Sequence, residues 1–81
     1  MEAGSKARVV IDLEKESERC GGVVAAILTH IRRLNRGDIL VIVNTSSKAS
    51  ELRQVLEMFK DYGVLRILED KGDKVIVAKA S

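Results

Sequence analysis

Cys20 is the only cysteine of the 81-residue chain. It stands in the run Glu18-Arg19-Cys20-Gly21-Gly22-Val23-Val24, just before the sequence turns to helical periodicity. A thiol at a helix start meets unpaired backbone N–H groups and the positive end of the macrodipole, and both favour the nucleophilic thiolate. Arg19 adds a cation beside it. The side-chain-free backbone of Gly21 and Gly22 lets N–H groups approach an anion such as a persulfide or phosphate. The chemistry expected is nucleophilic sulfur chemistry on Cys20, with Arg19, Gly21 and Gly22 stabilising the anion. The alternative is an ordinary small buried residue, since free cysteines are among the most buried types.

Other constellations are absent from the sequence. One cysteine cannot form an internal disulfide, and with a single histidine there is no zinc cluster and no metal is expected. His30 lies ten residues beyond Cys20, a rise of about 15 Å along a continuous helix. A Cys–His dyad is therefore excluded on that helix, and His30 is expected at the edge of its apolar stripe. No Ser/His/Asp set, paired carboxylates, Walker glycines or dinucleotide glycines are recognisable, and no cofactor is implied. Arg32, Arg33 and Arg36 form a basic patch that is either a solvated helix face or a docking site for an acidic partner or phosphate. Asp38, after Gly37, is expected to orient backbone rather than catalyse. Asn44 follows an apolar strand, where α/β sheets place ligands, and a helix-capping role is expected of it.

These residues must be held by a small set of elements. Arg8 to Leu13 reads as a strand, Glu14 to Arg19 as a polar loop, and about Gly21 to Arg36 as a helix. In that helix Val24, Ile27, Ile31 and Leu34 form the apolar stripe, with Thr29 and the arginines opposite. Ile39 to Val43 is continuously apolar, as in a strand shielded on both faces. Asn44-Thr45-Ser46-Ser47 offers N-caps for a second helix, with Glu51 in its first turn and Leu52, Val55, Leu56 and Phe59 on its buried face. Gly63 is its C-terminal cap. Val64 to Glu69 and Lys74 to Lys79 read as strands joined by the turn Asp70-Lys71-Gly72-Asp73. The expected fold is α+β: a two-layer α/β sandwich in βαβαββ order, with a mixed four-stranded sheet and two helices on one face reached by right-handed crossovers.

Length supports one domain, residues 7–81, behind a flexible tail over 1–6. No apolar run approaches the roughly 20 residues that span a bilayer, and the N-terminus lacks the apolar core of a signal peptide. A cytoplasmic location and no membrane partner are expected. Residues 1–40 carry seven Lys/Arg against six Asp/Glu, and residues 41–81 repeat that balance. With Phe59 and Tyr62 as the only aromatics, the even charge argues against a nucleic-acid partner.

With this order of elements, the chain resembles the TusA/SirA-like family of small sulfur-carrier proteins over nearly all of Val9 to Lys79. The resemblance rests on the strand ending Ile11-Asp12-Leu13, the loop to Arg19-Cys20, the basic helix, and Arg36-Gly37-Asp38 opening an apolar strand. Cys20 and Gly37-Asp38 stand at the family's spacing. It implies that Cys20 accepts a sulfane sulfur as a persulfide and hands it on. Donor and acceptor partners would include a cysteine desulfurase, a rhodanese or DsrE-like carriers, and the state would be monomer or weak dimer. The family signature is Cys-Pro, usually Cys-Pro-x-Pro, where this chain has Cys20-Gly21-Gly22-Val23. That departure admits Cys20 on a mobile loop, or an interaction domain that has lost sulfur transfer. The same sandwich also resembles the RNA-binding C-terminal domain of a bacterial translation initiation factor, which implies a third, RNA-binding alternative.

Overall fold

Asp12 ends the first strand and starts a helix in a single residue. In a computed structural model, which describes residues 6–81, β1 (Arg8–Asp12) runs directly into α1 (Leu13–Cys20), with Asp12 as N-cap. Asp12 Oδ1 accepts from the Lys15 N–H at 3.1 Å, and Glu14 and Glu16 add negative charge to the first turn. The expected loop over Glu14–Arg19 is therefore a helix. Gly21 ends it in the left-handed conformation, with φ +92°, and Gly22 follows at φ +140°. The chain reverses there into α2 (Val23–Arg32), shorter than the helix expected over Gly21–Arg36.

The remaining elements are β2 (Ile39–Val43), a short 3₁₀ turn (Ser46–Lys48), α3 (Ala49–Asp61), β3 (Leu65–Asp70) and β4 (Lys74–Lys79). Among the described residues the order is thus βααβαββ, with three helices where two were expected. The α+β class and the mixed four-stranded sheet are as expected. The sheet order is β1-β2-β4-β3, with β1 parallel to β2 and β4 antiparallel to both its neighbours. Of the tail expected over 1–6, residues 1–5 lie outside the described residues.

One face of the sheet carries the core. Ile11, Leu40, Ile42, Val75, Val77 and Leu65 pack against Val23, Ile27, Ile31 and Leu34 of the α2 side and Leu52, Val55, Leu56 and Phe59 of α3. Of the expected stripe Ile27, Ile31 and Leu34 are buried, while Val24 is exposed and Val23 is buried in its place. Leu13 is fully buried and is the one side chain through which α1 joins the core cluster. On the opposite face Val10 is 61% exposed, and Leu68, the extra residue of a bulge in β3, is 47% exposed. Val41 on the same face is buried, which gives β2 its continuously apolar sequence.

Candidate functional site

The expected anion site disperses when built from its residues. Cys20 is half-buried and closes α1 instead of opening a helix, which corrects the expectation of a thiol at a helix N-terminus. The physical reason is that Glu14–Arg19 is helical, so Cys20 sits among the terminal carbonyls of α1. The N–H groups of Gly21 and Gly22 both donate to the Ser17 carbonyl, at 2.9 and 2.7 Å. They close α1 in a left-handed cap and are turned back into the helix, away from any ligand at Cys20. The free N–H groups of the next helix begin only at Val23. Gly22 is the N-cap of α2 and provides no side-chain bond, and the first intrahelical bond runs from Ala26 N–H to Gly22 O at 3.0 Å.

Arg19 and His30 are brought together by a carboxylate that sequence reasoning did not single out. Glu16 Oε1 lies 2.6 Å from Arg19 Nη2 and 2.6 Å from His30 Nε2, and Arg19 Nε donates to Oε2 at 3.3 Å. An ionised carboxylate only accepts, so His30 Nε2 carries its proton here. The hydrogen bond from Arg19, and next that from His30, hold the Glu16 carboxyl down to about 2. Arg19 is pushed above its ordinary value, first by its bond to Glu16 and the Glu16 charge, then by the neighbouring Cys20. Arg19 is thus charged, with Nε and Nη2 held by Glu16. His30 forms no dyad with Cys20, as expected. The reason differs, because the helix breaks at Gly21-Gly22 and turns His30 towards α1. The signal for this cluster was the Glu16–Arg19 spacing of three on a helix, which is legible only once α1 is recognised.

Around this core the other sequence candidates separate into structural and exposed sets. Asp38 is buried and orients backbone, with Oδ1 accepting from Ala7 N–H at 3.0 Å and Oδ2 from Asn35 N–H at 2.8 Å. Those two amides, that of Asn35 first, hold its carboxyl below the usual carboxylate range. Asn44 adopts φ +57° and donates from Nδ2 to Asp12 Oδ2 at 2.5 Å. It supports the residue that caps α1 and caps no helix itself, because Lys48 precedes α3 without a side-chain cap. Arg32, Arg33 and Arg36 are exposed, and their side chains have no hydrogen-bond or ion-pair partner among the described residues.

A polar cleft of about 340 Å³ opens beside the α1–α2 junction, between Glu14, Ser17 and Glu18 of α1, the start of α2, and Ser47, Lys48 and Glu51. Cys20 is not among its lining residues. Ser17 Oγ is buried there without a hydrogen-bond partner, and Ser47 Oγ donates to Glu14 Oε2 at 2.8 Å. Three carboxylates face one lysine, which disfavours an anion. Among the described residues no three His, Cys, Asp or Glu side chains are grouped to hold a metal, and no helix is long and apolar enough to cross a membrane. No family model matches the chain, and no match is found among curated proteins or solved structures.

Proposed function

We propose that this chain is a small sulfur carrier of the TusA-like kind, which holds sulfane sulfur as a persulfide on Cys20. The observation that carries it is the placement of the single thiol. Cys20 is half-buried at the apex of the α1–α2 hairpin, and two positive-φ glycines with open space around them follow it. Arg19, the preceding residue, is charged and paired with Glu16. The Cys20 thiolate attacks the outer sulfur of a donor persulfide. The S–S bond of the donor breaks, the donor leaves as a thiolate, and Cys20 becomes Cys20-S-SH. An acceptor thiolate then attacks that outer sulfur and returns Cys20 as thiolate, so neither step needs an external oxidant. Arg32, Arg33 and Arg36 are the proposed docking face, and a cysteine desulfurase, a rhodanese or a DsrE-like protein the proposed partner type.

Incubation of the chain with glutathione persulfide, followed by mass spectrometry, tests this. A gain of one sulfur that is reversed by a thiol acceptor and lost in Cys20→Ser supports the function. No adduct, or one that survives Cys20→Ser, overturns it.

One observation favours a second function, that of an interaction domain without sulfur transfer. Gly21 and Gly22 spend their N–H groups on Ser17, and Arg19 turns Nε and Nη2 to Glu16, so these residues do not form a dedicated anion site at the thiol. That function predicts slow alkylation of Cys20 and partner binding unchanged in Cys20→Ala.

A further inference from the structure

The even charge of the two halves of the sequence conceals a basic cleft at the other end of β2 from the α1–α2 junction. The β-ladder aligns Arg8 with Ile39, Ile39 with Ala78, and Ala78 with Arg66. Gly37 N–H donates to Lys79 O at 2.8 Å and Ile39 N–H to Ala7 O at 2.9 Å. These pairings gather Lys6, Arg36, Arg66 and Lys79, from four separate segments, around a cleft of about 450 Å³ completed by Gly37 and Ala80. We propose that this cleft is a binding site for a short chain of phosphate groups.

The cations there are only partly neutralised among the described residues. Asp38 is the carboxylate at this end of β2; its oxygens accept from the amides of Ala7 and Asn35, and its single charge faces Lys6 and Lys79. Lys79 Nζ is positioned by the Leu34 carbonyl at 2.8 Å, an uncharged acceptor. Arg36 and Arg66 have no side-chain partner among the described residues. Like charges held this close repel one another, and an anion between them removes that cost. Gly37 is part of the construction. Its φ of +89° favours glycine, and a Cβ there would stand 2.8 Å from Nζ at the flexible end of Lys6.

The lining also selects among anions. Two guanidinium forks suit the paired oxygens of phosphate. Ala80 is the only apolar side chain among the described residues that line the cleft, and these form no pocket for a peptide side chain. It has no aromatic either: Phe59 is buried in the core, and Tyr62 does not line it. Base stacking, on which single-stranded nucleic acid depends, is missing. What the cleft offers is dense positive charge in a volume within the range of small-ligand sites. A compact oligophosphate matches that better than an extended polymer. The site does not include Cys20, and it shares Arg36 with the docking face proposed above.

Calorimetric titration of the full chain with inorganic tripolyphosphate tests the proposal. One-to-one binding is expected, weakening as salt rises from 50 to 200 mM. Arg36→Ala and Arg66→Ala are each expected to weaken it about tenfold or more, as the loss of a charged hydrogen-bond pair does. Both side chains are exposed, and circular dichroism verifies that the variants keep the fold. Absence of saturable binding at millimolar tripolyphosphate overturns the site, as does binding that both variants leave unchanged. Octaglutamate binding as tightly as tripolyphosphate shows a response to charge alone and overturns it too. A single-stranded RNA oligomer that binds where tripolyphosphate does not overturns it in favour of a nucleic-acid surface.

Discussion

Glu16 Oε1 on α1 meets His30 Nε2 on α2 at 2.6 Å, across the left-handed break at Gly21-Gly22. With α1 contributing a single side chain, Leu13, to the core cluster, this contact and the bond from Ser47 to Glu14 are its side-chain polar attachments to other elements. The Glu16 carboxyl is lowered from 4.5 to about 2, by Arg19 first and His30 second. A depressed carboxyl stabilises the fold above its unfolded value and loses that contribution as pH falls through the folded value. Thermal unfolding followed from pH 7 to pH 2 is therefore expected to show a falling Tm between about 4.5 and 2. In Glu16→Gln the Tm at pH 7 is lower and the fall below pH 4.5 is shallower. Asp12 and Asp38, also lowered, retain their part of the acid sensitivity in that variant.

The same carboxylate sets the surroundings of the thiol. Arg19, the residue before Cys20, is held by Glu16. Releasing Arg19 in Glu16→Gln is expected to speed iodoacetamide alkylation of Cys20 a few-fold at low salt, and Arg19→Ala to slow it. High salt shrinks both effects. Equal rates in all three proteins would detach Arg19 from the chemistry of Cys20.

Gly22→Ala tests the turn. A Cβ there meets nothing within 4 Å, yet φ is +140°, a region that L side chains rarely occupy. The cost is backbone strain and not a clash, roughly 1–3 kcal/mol, read from urea unfolding. A neutral result would mean that the α1–α2 junction shifts readily to another conformation.

Thr45 ties the exit of β2 to the β3–β4 turn. It is fully buried, and Oγ1 donates to the Gly72 carbonyl at 2.8 Å. Thr45→Val keeps the shape and leaves that carbonyl without its partner, a loss of about 1–3 kcal/mol. In the core, Leu13→Ala is expected to cost about 2–5 kcal/mol, whereas Val10→Ser on the exposed sheet face stays within about 0.5 kcal/mol. Equilibrium denaturation of the three variants ranks them.

The sheet and α3 were legible because their apolar spacing is regular. Leu52, Val55, Leu56 and Phe59 are all buried, and the strands begin and end within a residue of their expected limits. The backbone role of Asp38 was also legible, from its place after Gly37. Helix α1 was not, because Leu13 is its only large apolar residue before Cys20, too little to make a stripe. Its signals were the N-cap Asp12, early glutamates, a late arginine and Gly21 beyond the end. These are capping signals, which a search for periodicity passes over. Missing that helix reversed the end at which Cys20 sits. The basic cleft was hidden for a different reason, since Lys6, Arg36, Arg66 and Lys79 meet only through the strand order.

That order has a kinetic consequence. β4 emerges after β3 but lies between β3 and β2, and it pairs along its length with Ile39–Val43 on one side and Leu65–Asp70 on the other. Until β4 arrives, β1 and β2 can pair only with each other, and the apolar run Ile39–Val43 keeps one edge unsatisfied. A nascent chain that has exposed α3 and β3 therefore still presents an adhesive strand edge. The closing step joins residues far apart in sequence and is slow for that reason. During synthesis the interval before β4 emerges is when this small domain is most open to mispairing with other chains.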